Sequence, residues 1–243
     1  MLGDIYLNPL TSKEQQNVLI VLKPPSIKKV LIEVSKMLDE YSGYRTALDQ
    51  ISVNWANDPF KVLIGTILSH RTKDEMTSKA AEHLFRRFKT PLDLAEASEE
   101  EVQKVIRPTG FYRIKAKRIK EVAKLILENF KGEVPQDIES LLSLPSVGHK
   151  TANCVLVYGF NIPAIPVDTH VHRISNRLNI VQTKTPEETE ARLMEKANKK
   201  YWLSINDLLV RFGKTICKPI NPRCVICNLR IYCAYYFLKV KQY

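Results

Sequence analysis

No stretch of this chain alternates apolar and polar residues at every second position between turn signals; its apolar stripes recur instead at intervals of three and four. That is the period of the α-helix, and it points to an all-α fold. The stripe over residues 27–42 puts Val30, Leu31, Val34 and Leu38 on one face. Residues 60–68, FKVLIGTIL, are apolar on nearly all sides, which suits a short central helix buried all round. Met76, Ala80, Ala81, Leu84, Phe85 and Phe88 give the next helix a single core face. Ser98 followed by Glu101 has the form of a capping box ahead of Val102, Val105 and Ile106.

Over 113–130 the period turns Ile114, Val122, Ile126 and Phe130 inward and leaves Arg113, Lys115, Lys117, Arg118 and Lys120 as a basic face, either tracking phosphates or simply solvated. Residues 137–144 form one short helix, with Leu141, Leu142 and Leu144 inward, and a second begins near His149 and buries Ala152, Cys154, Val155 and Leu156. Asp168 or Thr169 caps the helix THVHRISNRLN. Thr185, Pro186 and Glu188 open another, and residues 201–213 form the last, stopped by Gly213.

Between the two short helices lies Pro145-Ser146-Val147-Gly148. A turn of this shape points backbone N–H groups outward at the start of a helix, where the helix dipole adds positive character, and such a site holds phosphate. Lys150 sits at that helix start, and Asp168 follows 18 residues later in VDTH. A lysine beside a phosphate-gripping turn, with a carboxylate on a later loop, is a candidate amine nucleophile and its partner. A lone lysine there would equally be a phosphate contact. His170 and His172 stand two apart on a helix and point to different sides, so they are not a metal pair.

The net charge of +11 favours a polyanionic partner, nucleic acid first. No apolar run approaches the ~20 residues a membrane helix needs, and the N-terminal residues lack a signal-peptide pattern, so an intracellular, cytoplasmic protein is expected, with no membrane partner. Four of the five cysteines, Cys217, Cys224, Cys227 and Cys233, give C-x6-C-x2-C-x5-C. In such a compartment that is a metal-binding pattern, and the residues alone leave a four-thiolate zinc site and a [4Fe–4S] cluster both open.

LPSVGHKTA, VDTH and this cysteine spacing together resemble the endonuclease III family of the helix-hairpin-helix DNA glycosylase superfamily, over roughly residues 29–240. The resemblance implies two helical lobes with a DNA-binding cleft between them. One is a six-helix barrel over 52–162 containing the helix-hairpin-helix; the other is a helical cluster domain from 27–51 together with 163–243. Residues 1–26 are an N-terminal extension. It further implies that a monomer acts on duplex DNA bearing a damaged base or abasic site, with Lys150 as nucleophile, Asp168 as catalytic carboxylate, and the four cysteines around a [4Fe–4S] cluster. Arg71, in SHRTKD, stands where the family has a base-gap glutamine, and Phe111, in GFY, where it has an apolar wedge. Val147, Gly148, His149, His170, Lys218 and Arg223 are the other expected DNA contacts. The implied activity is removal of oxidised pyrimidines with strand cleavage. A mismatch glycosylase of the same superfamily and a non-catalytic DNA-binding module are the alternatives. Ser146 for glycine and His149 for arginine are the departures in the hairpin.

Overall fold

The computed structural model describes residues 23–41 and 57–240, all helix and connecting loop, with no strand among them. The expected N-terminal extension falls almost entirely outside these residues. The helices, in chain order, are α1 (Ile27–Tyr41), α2 (Pro59–Ser69), α3 (Asp74–Arg87), α4 (Pro91–Glu96), α5 (Glu99–Ile106), α6 (Tyr112–Phe130), α7 (Ile138–Leu142), α8 (His149–Cys154), α9 (Thr169–Arg177), α10 (Pro186–Lys196) and α11 (Trp202–Thr215). The chain divides into two compact units, one ending at Pro166 and holding α2 to α8, the other combining α1 with everything from Val167 onward.

In the first unit α2 is the centre. Val62, Leu63, Ile64, Ile67 and Leu68 are at most 1% exposed, so every face of this helix meets protein, as its unbroken apolar run requires. It starts cleanly because Asp58 accepts from the Lys61 N–H and Pro59 fills a position with no hydrogen bond to lose. Around it pack α3, α6 and α8. The capping box at Ser98 and Glu101 forms as expected, and Thr90 with Asp93 builds a second one at α4. After α8 the chain loosens into a π-helical turn, Val155–Gly159, which lies against α2.

In the second unit α11 packs against both α1 and α9, with α10 against α9. Asp168 caps α9 and Thr185 caps α10.

The periodic reading fails in two places. On α6, Ile114 is 62% exposed while Lys115 is buried at 6%, the reverse of the expected faces. Phe111 enters the helix in the left-handed conformation, and Lys115, Ala116 and Ile119 are the residues that turn inward. Gly213 does not stop α11, which runs on to Thr215. That glycine answers a close approach, since a Cβ there would lie 2.6 Å from the His170 Nδ1.

Gly159 is likewise a spacing residue, its absent Cβ lying 2.8 Å from the Pro59 Cα. Gly159→Ala is therefore expected to cost about 2 kcal/mol, because backbone rather than a flexible side-chain end has to move. Ser146 has φ 65°, the left-handed region that its extra atoms disfavour. Ser146→Gly should raise stability by about 0.5–1 kcal/mol. Urea midpoints of the two variants and the parent read both effects.

Candidate active site and cysteine pocket

The hairpin turn joins Leu144, 3% exposed, to α8. The Val147 N–H donates to the Leu144 carbonyl at 3.2 Å and the Val147 side chain is buried, so Val147 shapes the turn rather than presenting itself. Gly148 is the N-cap of α8, and His149 is exposed beside it. The backbone N–H groups of Gly148, His149 and Lys150 have no acceptor among the described residues, as the first turn of a helix requires. A Cβ at Gly148 would meet nothing within 4 Å, so the glycine answers no crowding inside the protein. The Lys150 side chain is half-buried, and its amine is in no hydrogen bond or ion pair among the described residues.

Next to this lysine is a residue the sequence reading passed over. His70, at the end of α2, meets the Thr151 Oγ1 through its Nε2 at 3.1 Å. Burial first, then the ammonium groups of Lys150 and Lys115, pull its imidazole down to about 4. It is neutral at any physiological pH, so it adds an uncharged donor–acceptor ring beside Lys150 and no competing positive charge.

The turns carrying Arg71 and Phe111 meet each other. Both residues are exposed and both are left-handed, at φ 52° and 57°. The Arg71 guanidinium stands 5.6 Å from the centre of the Phe111 ring. The two positions read separately from sequence form one cation–π pair.

In the other unit, Asp168 accepts the His170 and Val171 N–H groups at 2.8 and 2.9 Å through the same oxygen, Oδ1. Its second oxygen accepts none of the described hydrogen bonds. The opposite face and end of α9 grip the cysteine loop. Arg173 donates to the carbonyls of Gly213 at 3.1 Å and Cys217 at 2.9 Å. Arg177 donates to those of Lys218 and Pro219 at 2.8 and 3.0 Å, approaches the Cys217 Sγ at 3.5 Å, and lies over the Tyr235 ring at 3.8 Å. His170 is packed against Gly213 and Arg173 rather than standing free, and burial holds its imidazole below the usual range. Lys218 is half-buried at the loop, while Arg223 is exposed.

The four cysteines carry no disulfide and together line one small cavity, with Arg177, Arg223 and Arg230 also on its wall. Among the described residues no three Cys, His, Asp or Glu side chains converge as a single ion would need. Burial pushes the Cys227 thiol up to about 12 and the Cys233 thiol up to about 11. Left alone these are neutral thiols; they become thiolates only if a cationic group binds them. Three arginines suit a site in which four thiolates outweigh the cationic group they hold, leaving the assembly anionic overall. The donor set, four thiols around one pocket, therefore fits an iron–sulfur cluster.

Arg173 and Arg177 were read only as helix residues, and nothing in their spacing shows that they reach the cysteine loop some 40 residues on.

His70 makes the fold acid-sensitive in a definite window. The unfolded chain protonates this imidazole near pH 6.5, whereas the folded protein resists until about 4, so the unfolded state binds more protons between those values. Stability is full above that window and falls through it, by about 3 kcal/mol at most. His70→Gln should shrink the drop in urea midpoint between pH 7 and pH 4.5. An equal drop in both proteins would place the acid sensitivity elsewhere.

Comparison with known proteins bears on this arrangement. The profile of the HhH-GPD superfamily base excision DNA repair proteins matches residues 64–199. Endonuclease III of Thermotoga maritima is 51% identical over 179 residues, which are 74% of this chain and 84% of that protein. A solved non-covalent endonuclease III–DNA complex matches with a TM-score of 0.75 at 33% identity, covering 92% of this chain and 95% of the other. A trapped endonuclease III–DNA covalent intermediate matches at 0.73 and 33%, covering 92% and 96%. With the hairpin turn, the all-helical fold and this identity over most of both chains, the protein belongs to the endonuclease III family of the HhH-GPD superfamily.

Proposed function

We propose that this DNA glycosylase and abasic-site lyase removes oxidised pyrimidines such as thymine glycol, with Lys150 as its nucleophile. Base excision repair by a glycosylase/lyase is the activity of the family to which the chain belongs. The observation that carries the finer reading is the state of Lys150: an amine committed to no internal partner, at the head of α8, directly after a turn with unpaired N–H groups.

A base stacked in a duplex is out of reach, so it is first flipped out. The N–H groups of Gly148, His149 and Lys150 bind the DNA backbone at the helix start. Arg71 and Phe111 occupy the gap the base leaves, an exposed apolar ring serving as wedge. The Lys150 amine attacks C1′ of the damaged nucleotide; the C1′–N bond breaks and the base departs with the electron pair and a proton. The lone pair of the bound nitrogen then opens the sugar ring, forming the C1′ imine as the C1′–O4′ bond breaks and O4′ takes a proton, and abstraction of a C2′ proton expels the 3′ phosphate. Asp168 has one oxygen fixed by α9 and one uncommitted, so it offers a held negative charge to the positive sugar that forms.

The four cysteines hold a [4Fe–4S] cluster. When bound, it supplies structural closure of the loop from Cys217 to Cys233, which carries the basic residues Lys218 and Arg223 as DNA contacts. The protein acts as a monomer on cellular DNA, and no helix among the described residues is long and apolar enough to cross a membrane. A mismatch specificity is disfavoured by the presence of Lys150, since excision without a lysine intermediate needs no amine there.

Borohydride trapping on duplexes carrying thymine glycol, an abasic site or a G·T mismatch tests the assignment. The native protein should be trapped covalently on the first two. Lys150→Ala should abolish the adduct, and Asp168→Asn should slow base release on the order of 10²-fold. An adduct that survives Lys150→Ala would refute the nucleophile; excision of mismatched thymine alone would refute the substrate. For the cysteine pocket, the purified protein should contain iron and acid-labile sulfide in equal amounts. Zinc in their place would refute the cluster.

A further inference from the structure

The basic run at the start of α6 contains one residue that does not behave as a basic surface residue. Lys115 is 6% exposed, and its ammonium donates to the Leu68 carbonyl and to the Thr72 Oγ1, both at 2.7 Å. Leu68 O belongs to the last turn of α2, where carbonyls have no partner within the helix. Thr72 Oγ1 is a crossing point. It also accepts the Gly110 N–H at 3.0 Å and donates to the His70 carbonyl at 3.3 Å. Thr72 follows Arg71, and Gly110 precedes Phe111. The amine and the hydroxyl thus tie together the two turns that carry the exposed pair.

Those turns need a tie. Arg71 and Phe111 both hold left-handed backbone that their side chains disfavour, and neither side chain is buried enough for its own packing to hold it there. The turns are also in backbone contact: a Cβ on Gly110 would lie 2.8 Å from the Arg71 carbonyl oxygen. Burying an amine in this position works against stability, and burial pulls it down to about 8. An apolar residue would fill the same space without that penalty, but it could not bond to a helix-end carbonyl and a hydroxyl together.

We infer that Lys115 is a positioning residue that, through Thr72, locks Arg71 and Phe111 into a single preformed wedge for the gap in duplex DNA. This rests on the glycosylase–lyase reading above. Lys115 touches neither the sugar nor the base; it acts through the geometry of the pair. Because the wedge is needed only where a base must be drawn from a stack, the residue matters for duplex substrates and not for a single-stranded abasic site, which has nothing to unstack.

The test uses full-length Lys115→Met and Thr72→Val, each checked for native melting and visible absorption. Base release from a thymine glycol duplex, the fluorescence of 2-aminopurine placed beside the lesion, and borohydride trapping on a single-stranded abasic oligonucleotide are measured together. The expected result is a loss of roughly 10- to 100-fold in duplex base release, with a matching loss of the 2-aminopurine signal. Single-strand trapping should stay within about twofold of native, since a displaced wedge leaves the lysine chemistry intact. Adding Phe111→Ala to either variant should lower the duplex rate little further, because both changes disable one unit. Native duplex rates in both variants would overturn the proposal. So would equal losses on duplex and single strand, which would mean that Lys115 acts on the lysine chemistry beside His70. So would full additivity with Phe111→Ala. If the native protein forms no adduct on the abasic oligonucleotide, the lysine reading itself falls, and the proposal with it; a native adduct with unaffected variants sinks the proposal alone. Should Lys115→Met fail to fold, Thr72→Val carries the same three readouts.

Discussion

One carboxylate oxygen accepting two backbone N–H groups sets much of the second unit. Asp168 Oδ1 starts α9 by satisfying His170 and Val171, and the direction of α9 then decides where Arg173 and Arg177 emerge. Those two arginines donate four hydrogen bonds to carbonyls of Gly213, Cys217, Lys218 and Pro219, so the cysteine loop takes its path from the helix that Asp168 begins. Gly213 completes the arrangement by its lack of a side chain. A cap worth about 1 kcal/mol in helix stability is here also a geometric datum for a loop more than 40 residues away in sequence.

In the first unit the governing element is α2, buried on all sides, and what matters chemically happens at its end. The last turn leaves carbonyls unpaired, and the chain then enters a left-handed residue, Arg71. Lys115 closes one open carbonyl, Thr72 bridges to the next turn, and His70 reaches Thr151 beside Lys150. A helix end that would need a cap in any protein has become the junction of three candidate functional residues. The strain sits on exposed turns, while the polar bonds that hold it are buried, which is the division expected when a fixed shape has to be presented to a partner.

The helices were legible because their apolar residues keep a 3.6 period, and the caps because Ser98, Thr185 and Asp168 stand at their starts with the right neighbours. The hairpin, Lys150, Asp168 and the cysteines were legible as local patterns. What escaped was everything decided by three-dimensional partners. Lys115 looked like one of five basic residues on a solvated face; only the meeting of α6 with the end of α2 gives its amine two acceptors. Ile114 looked like core by period, but the helix begins from a left-handed Phe111 and turns its neighbour inward. Gly213 carried the composition of a helix stop, whereas its reason is the His170 ring. Ser146 was noticed as a departure, and its left-handed backbone is the strain that a glycine would relieve.

The length of α9 has a consequence for how its two ends communicate. Nine residues at 1.5 Å each carry α9 about 13 Å from its Asp168 cap. Arg173, between the two ends, feels the charges of both Asp168 and Cys217, so the ends share a charged residue as well as a backbone. The helix is clamped to the cysteine loop by its arginines and carries the carboxylate at its start. A displaced loop should therefore be registered at the carboxylate through the position of the helix.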